Sequence, residues 1–223
     1  MKLNKIELSL LTFLFFHFIV GVIAAIWNVE YFENTYVKED GVMEWYTVDA
    51  LLACSALCGY RFWKLRRVRK PVFLAVLGFL CLLFFFGAGE ELSWGQRVLN
   101  VESSEFFREH NAQGETNLHN LVLGDTKINK IIFSKLLGAV IILYVLVFPL
   151  LYSKLPVIRN LAATFAVPVP RLPHILAYLV VGSAELIVES SKRGELLEFG
   201  GCFLFVLILA FPQNAEIFQS TES

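Results

Sequence analysis

The chain has 223 residues, of which 57% are apolar and only 17% charged, where an average soluble domain runs at roughly 45–50% and about 25%. Uncharged apolar stretches of about 20 residues recur along it, as bilayer spans require, so disordered, collagen-like and disulfide-scaffold classes are excluded. With a net charge of −1 and only 19 Lys plus Arg, several of them in one short link, the chain carries no electrostatic footprint for nucleic acid.

The first apolar run, Leu8 to Trp27, is uncharged and long enough to cross a hydrocarbon core of about 30 Å. It is read as a retained helix, because the apolar region of a cleaved signal peptide is about 7–15 residues and Glu7 interrupts the basic residues before it. A second span is expected over about Tyr46–Trp63, a third over Pro71–Gly89 and a fourth over Ile131–Tyr152, each bounded by charge or interfacial aromatics. The Pro-broken stretch Leu155–Pro173 is expected to lie in the interface or re-enter shallowly. Two shorter spans follow, Leu172–Val188 and about Leu196–Phe211. The fold class is therefore all-α: one polytopic transmembrane helical bundle of about six spans, with an extracytoplasmic loop over about 98–130. No alternating strand pattern of the barrel type appears.

Lys and Arg are retained on the cytoplasmic side, and Arg61, Lys64, Arg66, Arg67, Arg69 and Lys70 crowd the link between spans two and three. Alternating from there places both termini in the cytoplasm, with Lys154, Arg159 and Arg171, and leaves the acid-rich link Glu30–Glu44 outside. Lys192 and Arg193 also fall outside, against the rule. Cys54, Cys58, Cys81 and Cys202 lie within spans without a C-x-x-C pair and read as small packing residues. His17, mid-span between Phe16 and Phe18, reads as a packed histidine, and His174 beside Pro173 as a marker of the inner interface. Gly78, Gly87 and Gly89 would allow close helix packing.

Polar residues gather where the third span ends. Gly87-Ala88-Gly89-Glu90-Glu91-Leu92-Ser93-Trp94-Gly95-Gln96-Arg97 follows Leu82-Leu83-Phe84-Phe85-Phe86 with no turn signal, so the helix is expected to run on. Glu90 then lies about 29 Å along the axis from Pro71, at the outer interface. At 100° per residue Glu90, Ser93 and Arg97 share one stripe and Glu91, Trp94, Gly95 and Val98 the next, which would let Arg97 neutralise Glu90. Ser103 or Ser104 is a fair N-cap for a short interfacial helix bearing Phe106, Phe107 and His110. Asn111–Gly114 reads as a break, and a further helix over Thr116–Leu123 would point Glu115 and His119 the same way, with Asn120 beside them. Glu44, Asp49, Glu185, Glu189, Glu195 and Glu198 reach the same side. Asp49 and Glu185 lie inside apolar runs, where an ionisable residue is a functional hypothesis by default; an ion pair with Lys135 or Arg97 is the plainer alternative.

Glu90 or Glu91, Glu115 and His119 together form an oxygen and nitrogen donor set suited to Zn²⁺ or Mn²⁺ with an open water position. Such an ion would lower the pKa of its water toward about 7, with the second Glu as general base. The location suits a lipid substrate in the outer leaflet or a peptide bond just within the membrane. Two other classes remain open: a structural or assembly subunit whose outer loop docks another membrane protein, and a proton- or cation-coupled transporter using Asp49, Glu90, Glu185 and His17.

Glu90-Glu91 at a helix end, with Arg97 after it and Phe106-x-x-x-His110 later, resembles the glutamate-pair signature of the CAAX-type intramembrane proteases. In that family E-E-x-x-x-R is followed by F-x-x-x-H and H-x-x-x-N on later membrane helices. Here Arg97 stands two positions late, Phe106 and His110 fall in an extramembrane loop, and H-x-x-x-N is absent. The longer run Glu90–Arg97 with Asn111–Asn120 is similar to bacterial multi-pass membrane proteins of uncharacterised function. That likeness implies a bacterial inner membrane and brings no activity with it.

Overall fold

The computed structural model describes residues 3–118, 120–123, 126–127 and 136–220. Apart from a two-residue hairpin pairing Val122–Leu123 with Thr126–Lys127, its regular structure is helical. Helix α1 spans Lys5–Trp27, α2 Val42–Leu65, α3 Pro71–Glu91, α4 Glu105–His110, α5 Leu137–Lys154, α6 Pro156–Thr164, α7 Leu172–Ile187 and α8 Arg193–Ala210. Among the described residues, three helices are long and apolar enough to cross a membrane: α1, α3 and α5. Of the other expected spans, α2 has 24 residues but carries Glu44, Asp49, Arg61 and Lys64, while α8 opens with Arg193, Glu195 and Glu198. α7 is apolar but shorter.

Local chemistry sets the helix ends. Asn4 caps α1, its Oδ1 accepting the Glu7 amide at 2.7 Å. α3 begins with Pro71, whose missing N–H costs nothing in the first turn. In α5 one wide turn, Leu143–Val147, precedes Pro149 and accommodates the ring that a regular turn would set against a carbonyl. The stretch expected in the interface contains α6 and then an extended run. There Asn214 accepts the Val169 amide at 2.9 Å and donates to the Val167 carbonyl at 2.9 Å, tying the C-terminal segment across it.

The centre of the bundle is α8. Leu196, Phe199, Leu204, Leu207 and Ile208 are buried against Leu14 and Phe18 of α1, Ala177 and Val181 of α7, and Val145 of α5. At two positions on the bundle axis glycine lets a neighbouring side chain approach closely. A Cβ on Gly200 would lie 2.5 Å from Val181 Cγ1, and one on Gly21 2.8 Å from Leu196 Cδ1. The expectation for Gly78 and Gly87 is corrected accordingly: their nearest neighbours stand at 3.7 and 3.6 Å, ordinary contact. Cys54 and Cys58 pack with Leu209 as free thiols, in line with the packing role. The His17 ring lies 4.2 Å from Phe13 and 5.0 Å from Tyr46, with Nδ1 on the Phe13 carbonyl at 3.0 Å.

The two ends of the bundle differ in charge. At one, Arg171 holds Glu7 through contacts of 3.0 and 2.9 Å, and Arg61 Nη2 donates to the Leu209 carbonyl at 2.6 Å, closing the C-terminus of α8. His174 is buried beside that pair, its Nδ1 accepting the Arg171 amide at 3.2 Å. At the other end lie the 29–41 link, the loop after α3 and the α7–α8 loop. Ser190 donates to Glu33 at 2.6 Å and Gln113 to Glu39 at 2.9 Å, drawing all three together.

Candidate functional site at the acidic end

The helical stripe expected to join Glu90, Ser93 and Arg97 is not formed. α3 stops at Glu91, and Ser93, Trp94 and Gly95 take left-handed backbone angles, φ 46°, 56° and 74°. Glycine adopts such angles freely, whereas each non-glycine residue costs roughly 1–2 kcal/mol, so Ser93 and Trp94 carry strain that local sequence does not reward. The turn folds the indole back over Gly89, where an added Cβ would lie 2.8 Å from the ring. Trp94 Nε1 then donates to Glu90 Oε1 at 2.9 Å.

The helix expected over Thr116–Leu123 is not formed by the described residues of that range. Residues 111–118, 120 and 121 make a compact turn closed by an Asn111–Leu121 bridge and an Ala112 N to Asn120 carbonyl bond of 2.9 Å. Asn and Gly in this stretch favour turns over helix, with Gly114 at φ 69°. The turn still points its polar residues at the end of α3. Glu90 Oε2 accepts the Leu118 amide at 2.6 Å. The buried Ser93 hydroxyl donates to Glu115 Oε2 and accepts from Asn117 Nδ2 at 2.8 Å. Asn111 Nδ2 donates to both the Asn117 carbonyl and Oδ1, at 2.9 and 2.8 Å, while its own Oδ1 accepts the Gln113 and Glu115 amides at 2.8 and 3.2 Å. Gln96 bridges Ser103 at 2.6 Å and the Thr116 amide at 2.7 Å.

Of the expected site residues, Glu90 and Glu115 enter this network, and Asn120 joins it through its amide on Asn117 at 3.2 Å and its side chain on Gln113 at 2.7 Å. Glu91, one residue and 100° from Glu90, turns toward α8. It lies within electrostatic reach of Glu198, as do Glu44 and Glu195. His119 and the Arg97 side chain lie outside the described residues. His110 stacks on Phe106 at 4.8 Å, with Nδ1 on the Phe106 carbonyl at 3.0 Å, on α4 and apart from the network. Ser104 is the N-cap of α4 by position, without a side-chain cap bond, while Ser103 is buried on Gln96. Asp49 is exposed and outside the network. Lys135 and the Arg97 side chain, the partners expected for Glu185, lie outside the described residues, and Glu185 pairs with Arg193 at 2.7 and 2.9 Å. That pair offsets one of the two cations that ran against the charge rule.

Ser93, Gln96, Ser103, Asn111 and Asn117 are the members that residue-by-residue reading missed. The signal was present as an unusual density of Asn, Gln and Ser on both sides of α4. Outside the spans, the Ser190 hydrogen bond holds the Glu33 carboxyl below its ordinary value. Among the described residues no three His, Cys, Asp or Glu side chains converge as metal ligands; the imidazole in the expected donor set is that of His119. Comparison with protein families, curated proteins and solved structures returned no match.

Proposed function

We propose that this chain is a six-span protein of a bacterial inner membrane, with both termini cytoplasmic. In this reading the Glu90–Ser93–Glu115–Asn117 centre sits at the extracytoplasmic face. There it acts as an acid/base or metal-assisted hydrolase on a lipid or membrane-buried peptide substrate. The observation that supports it most is the strained turn: two non-glycine residues held left-handed directly beside two engaged carboxylates. Strain of this kind, roughly 1–3 kcal/mol per residue, gathers at sites where geometry is held for function. Glu90 and Glu91 are the candidate general bases and Arg97 the charge that balances them. Glu90, Glu115 and His119 would hold a zinc or manganese ion, which would supply a water of lowered pKa.

A docking role has one observation in its favour. Trp94, Leu99, Val101, Phe106 and Leu118 expose large apolar side chains around the same cap, as a surface meeting another membrane protein would.

Metal content of the detergent-purified protein tests the first reading, beside Glu90→Gln and His119→Ala variants of equal thermal stability. Near-stoichiometric metal lost in both variants is expected. No metal after reconstitution with Zn²⁺ and Mn²⁺ would sink the metal-assisted route. If replacing the whole loop then abolishes function in cells while no single carboxylate change does, the docking role stands instead.

A further inference from the structure

At the opposite end of the bundle, the last turns of α2 carry Arg61 and Lys64, and the link to α3 carries Arg66, Arg67, Arg69 and Lys70. Among the described residues none of these six is ion-paired with an acid. Four rest instead on aromatic rings. Arg61 Cζ lies 4.0 Å from the Phe218 centroid, Arg66 Cζ 4.6 Å from Trp63, Arg69 Cζ 5.4 Å from Phe73 and Lys64 Nζ 5.8 Å from Tyr60. Cation–π contact positions a cation without neutralising it. Arg61 is only 8% exposed, yet its Nη1 has no acceptor, and neither does the buried Nε of Arg69. α3 begins at this rim with no side chain capping its first-turn amides, a second source of positive potential. Trp63 and Tyr60 are exposed, as aromatics at the membrane–water boundary are. The cations are therefore pre-positioned beside exposed aromatics and, among the described residues, lack an acidic counter-charge.

We propose that this aromatic-backed basic rim binds the phosphate of an anionic membrane phospholipid. A soluble phosphate offers the same chemistry but would not bring the acyl chains that the exposed Tyr60, Trp63 and α3 surface would contact. The reading is independent of what the acidic end does. Each cation near an anionic surface strengthens association about fivefold, so losing three should weaken it roughly 100-fold.

The test uses the full chain in a neutral detergent, titrated separately with phosphatidylglycerol, phosphatidylcholine and inorganic phosphate. Thermal unfolding and retention in native mass spectra are the readouts. Saturable stabilisation by phosphatidylglycerol alone is expected, with roughly 100-fold weaker apparent affinity in the exposed-site variant Arg66→Gln/Arg67→Gln/Lys70→Gln. Equal effects of phosphatidylcholine, equal effects of inorganic phosphate, or an unchanged affinity in the variant would each overturn the proposal. Should the variant fail to fold, salt decides on the unmodified chain. Affinity for phosphatidylglycerol must fall steeply between about 0.05 and about 0.5 M NaCl, and an unchanged value overturns the proposal.

Discussion

Asn117 is the joint on which the polar cap turns, and its replacement gives the sharpest test of the network. The residue is 1% exposed. Its Nδ2 donates to Ser93 Oγ at 2.8 Å and reaches Glu115 Oε2 at 3.4 Å, and its Oδ1 accepts from Asn111 at 2.8 Å and from the Asn120 amide at 3.2 Å. At about 1 kcal/mol net for each of the three shorter bonds, Asn117→Ala should cost roughly 3 kcal/mol of local stability. Asn117→Asp keeps the shape but sets an oxygen where the amide nitrogen was. Two carboxylate oxygens 3.4 Å apart repel by about 5 kcal/mol at an effective dielectric of about 20. The sign of the pH effect follows. That repulsion raises the folded pKa of the pair above its unfolded value, so the folded form binds the extra proton more readily. The Asp penalty is therefore complete only above the raised value, still large at neutral pH, and relieved as pH falls toward the ordinary carboxylate range. Hydrogen–deuterium exchange of amides 111–118 reads both variants. The Ala variant should exchange on the order of 100-fold faster; the Asp variant should exceed it at neutral pH and recover on acidification. Exchange of the Ala variant within threefold of the parent, or an Asp variant insensitive to pH, would refute the network as the element that holds the cap.

Three further outcomes are expected. Gly200→Ala should lower thermal stability in detergent by about 1–3 kcal/mol, because its Cβ would meet Val181 Cγ1 at 2.5 Å, while Gly201→Ala, with nothing within 4 Å, should be near neutral; equal melting temperatures would refute the close approach. Glu7→Gln should cost up to about 3 kcal/mol by leaving the mostly enclosed Arg171 guanidinium without its counter-charge, and the double change Glu7→Leu/Arg171→Leu should recover most of that; a neutral single variant would show that the pair is not formed. The lowered Glu33 carboxyl makes its tie to Ser190 a contribution present above the ordinary glutamate value and lost as pH falls through the folded one. An NMR titration should show that shift vanish in Ser190→Ala, and persistence of the shift would assign it to another cause.

The apolar runs marked α1, α3 and α5 because a lipid-facing helix needs little beyond length and hydrophobicity, and both are written in composition. α8 reads ambiguously for the same reason. Its Glu195 and Glu198 and its modest length weaken the signal, yet Phe199, Leu204 and Leu207 make it the most enclosed element, a placement set by packing and invisible to hydropathy. Gly200 and Gly21 were no more legible than Gly78 and Gly87. A glycine permits close approach, but only the neighbour across the interface decides whether it is used.

At the acidic end, composition marked the segments and periodicity misled about their shape. The stripe through Glu90, Ser93 and Arg97 assumes that the helix continues, and nothing local forbids it until Gly95. Left-handed angles at Ser93 and Trp94 cost together roughly 2–4 kcal/mol, so the turn must be held by partners distant in sequence. The Trp94 bond to Glu90 is available to a helix end alone. The two bonds of Ser93, to Glu115 and Asn117, require residues 111–118 to be in place. The bond to the Glu115 carboxylate contributes about 1.5–3 kcal/mol and the neutral bond from Asn117 about 0.5–1.5 kcal/mol, together enough to offset the strain. The turn and the loop are thus conditional on each other: without the loop, Ser93 has no reason to stay left-handed, and without the turn, Glu115 and Asn117 lose the hydroxyl they converge on. A window-by-window reading sees two polar segments on either side of α4. Their mutual dependence is what makes them one site.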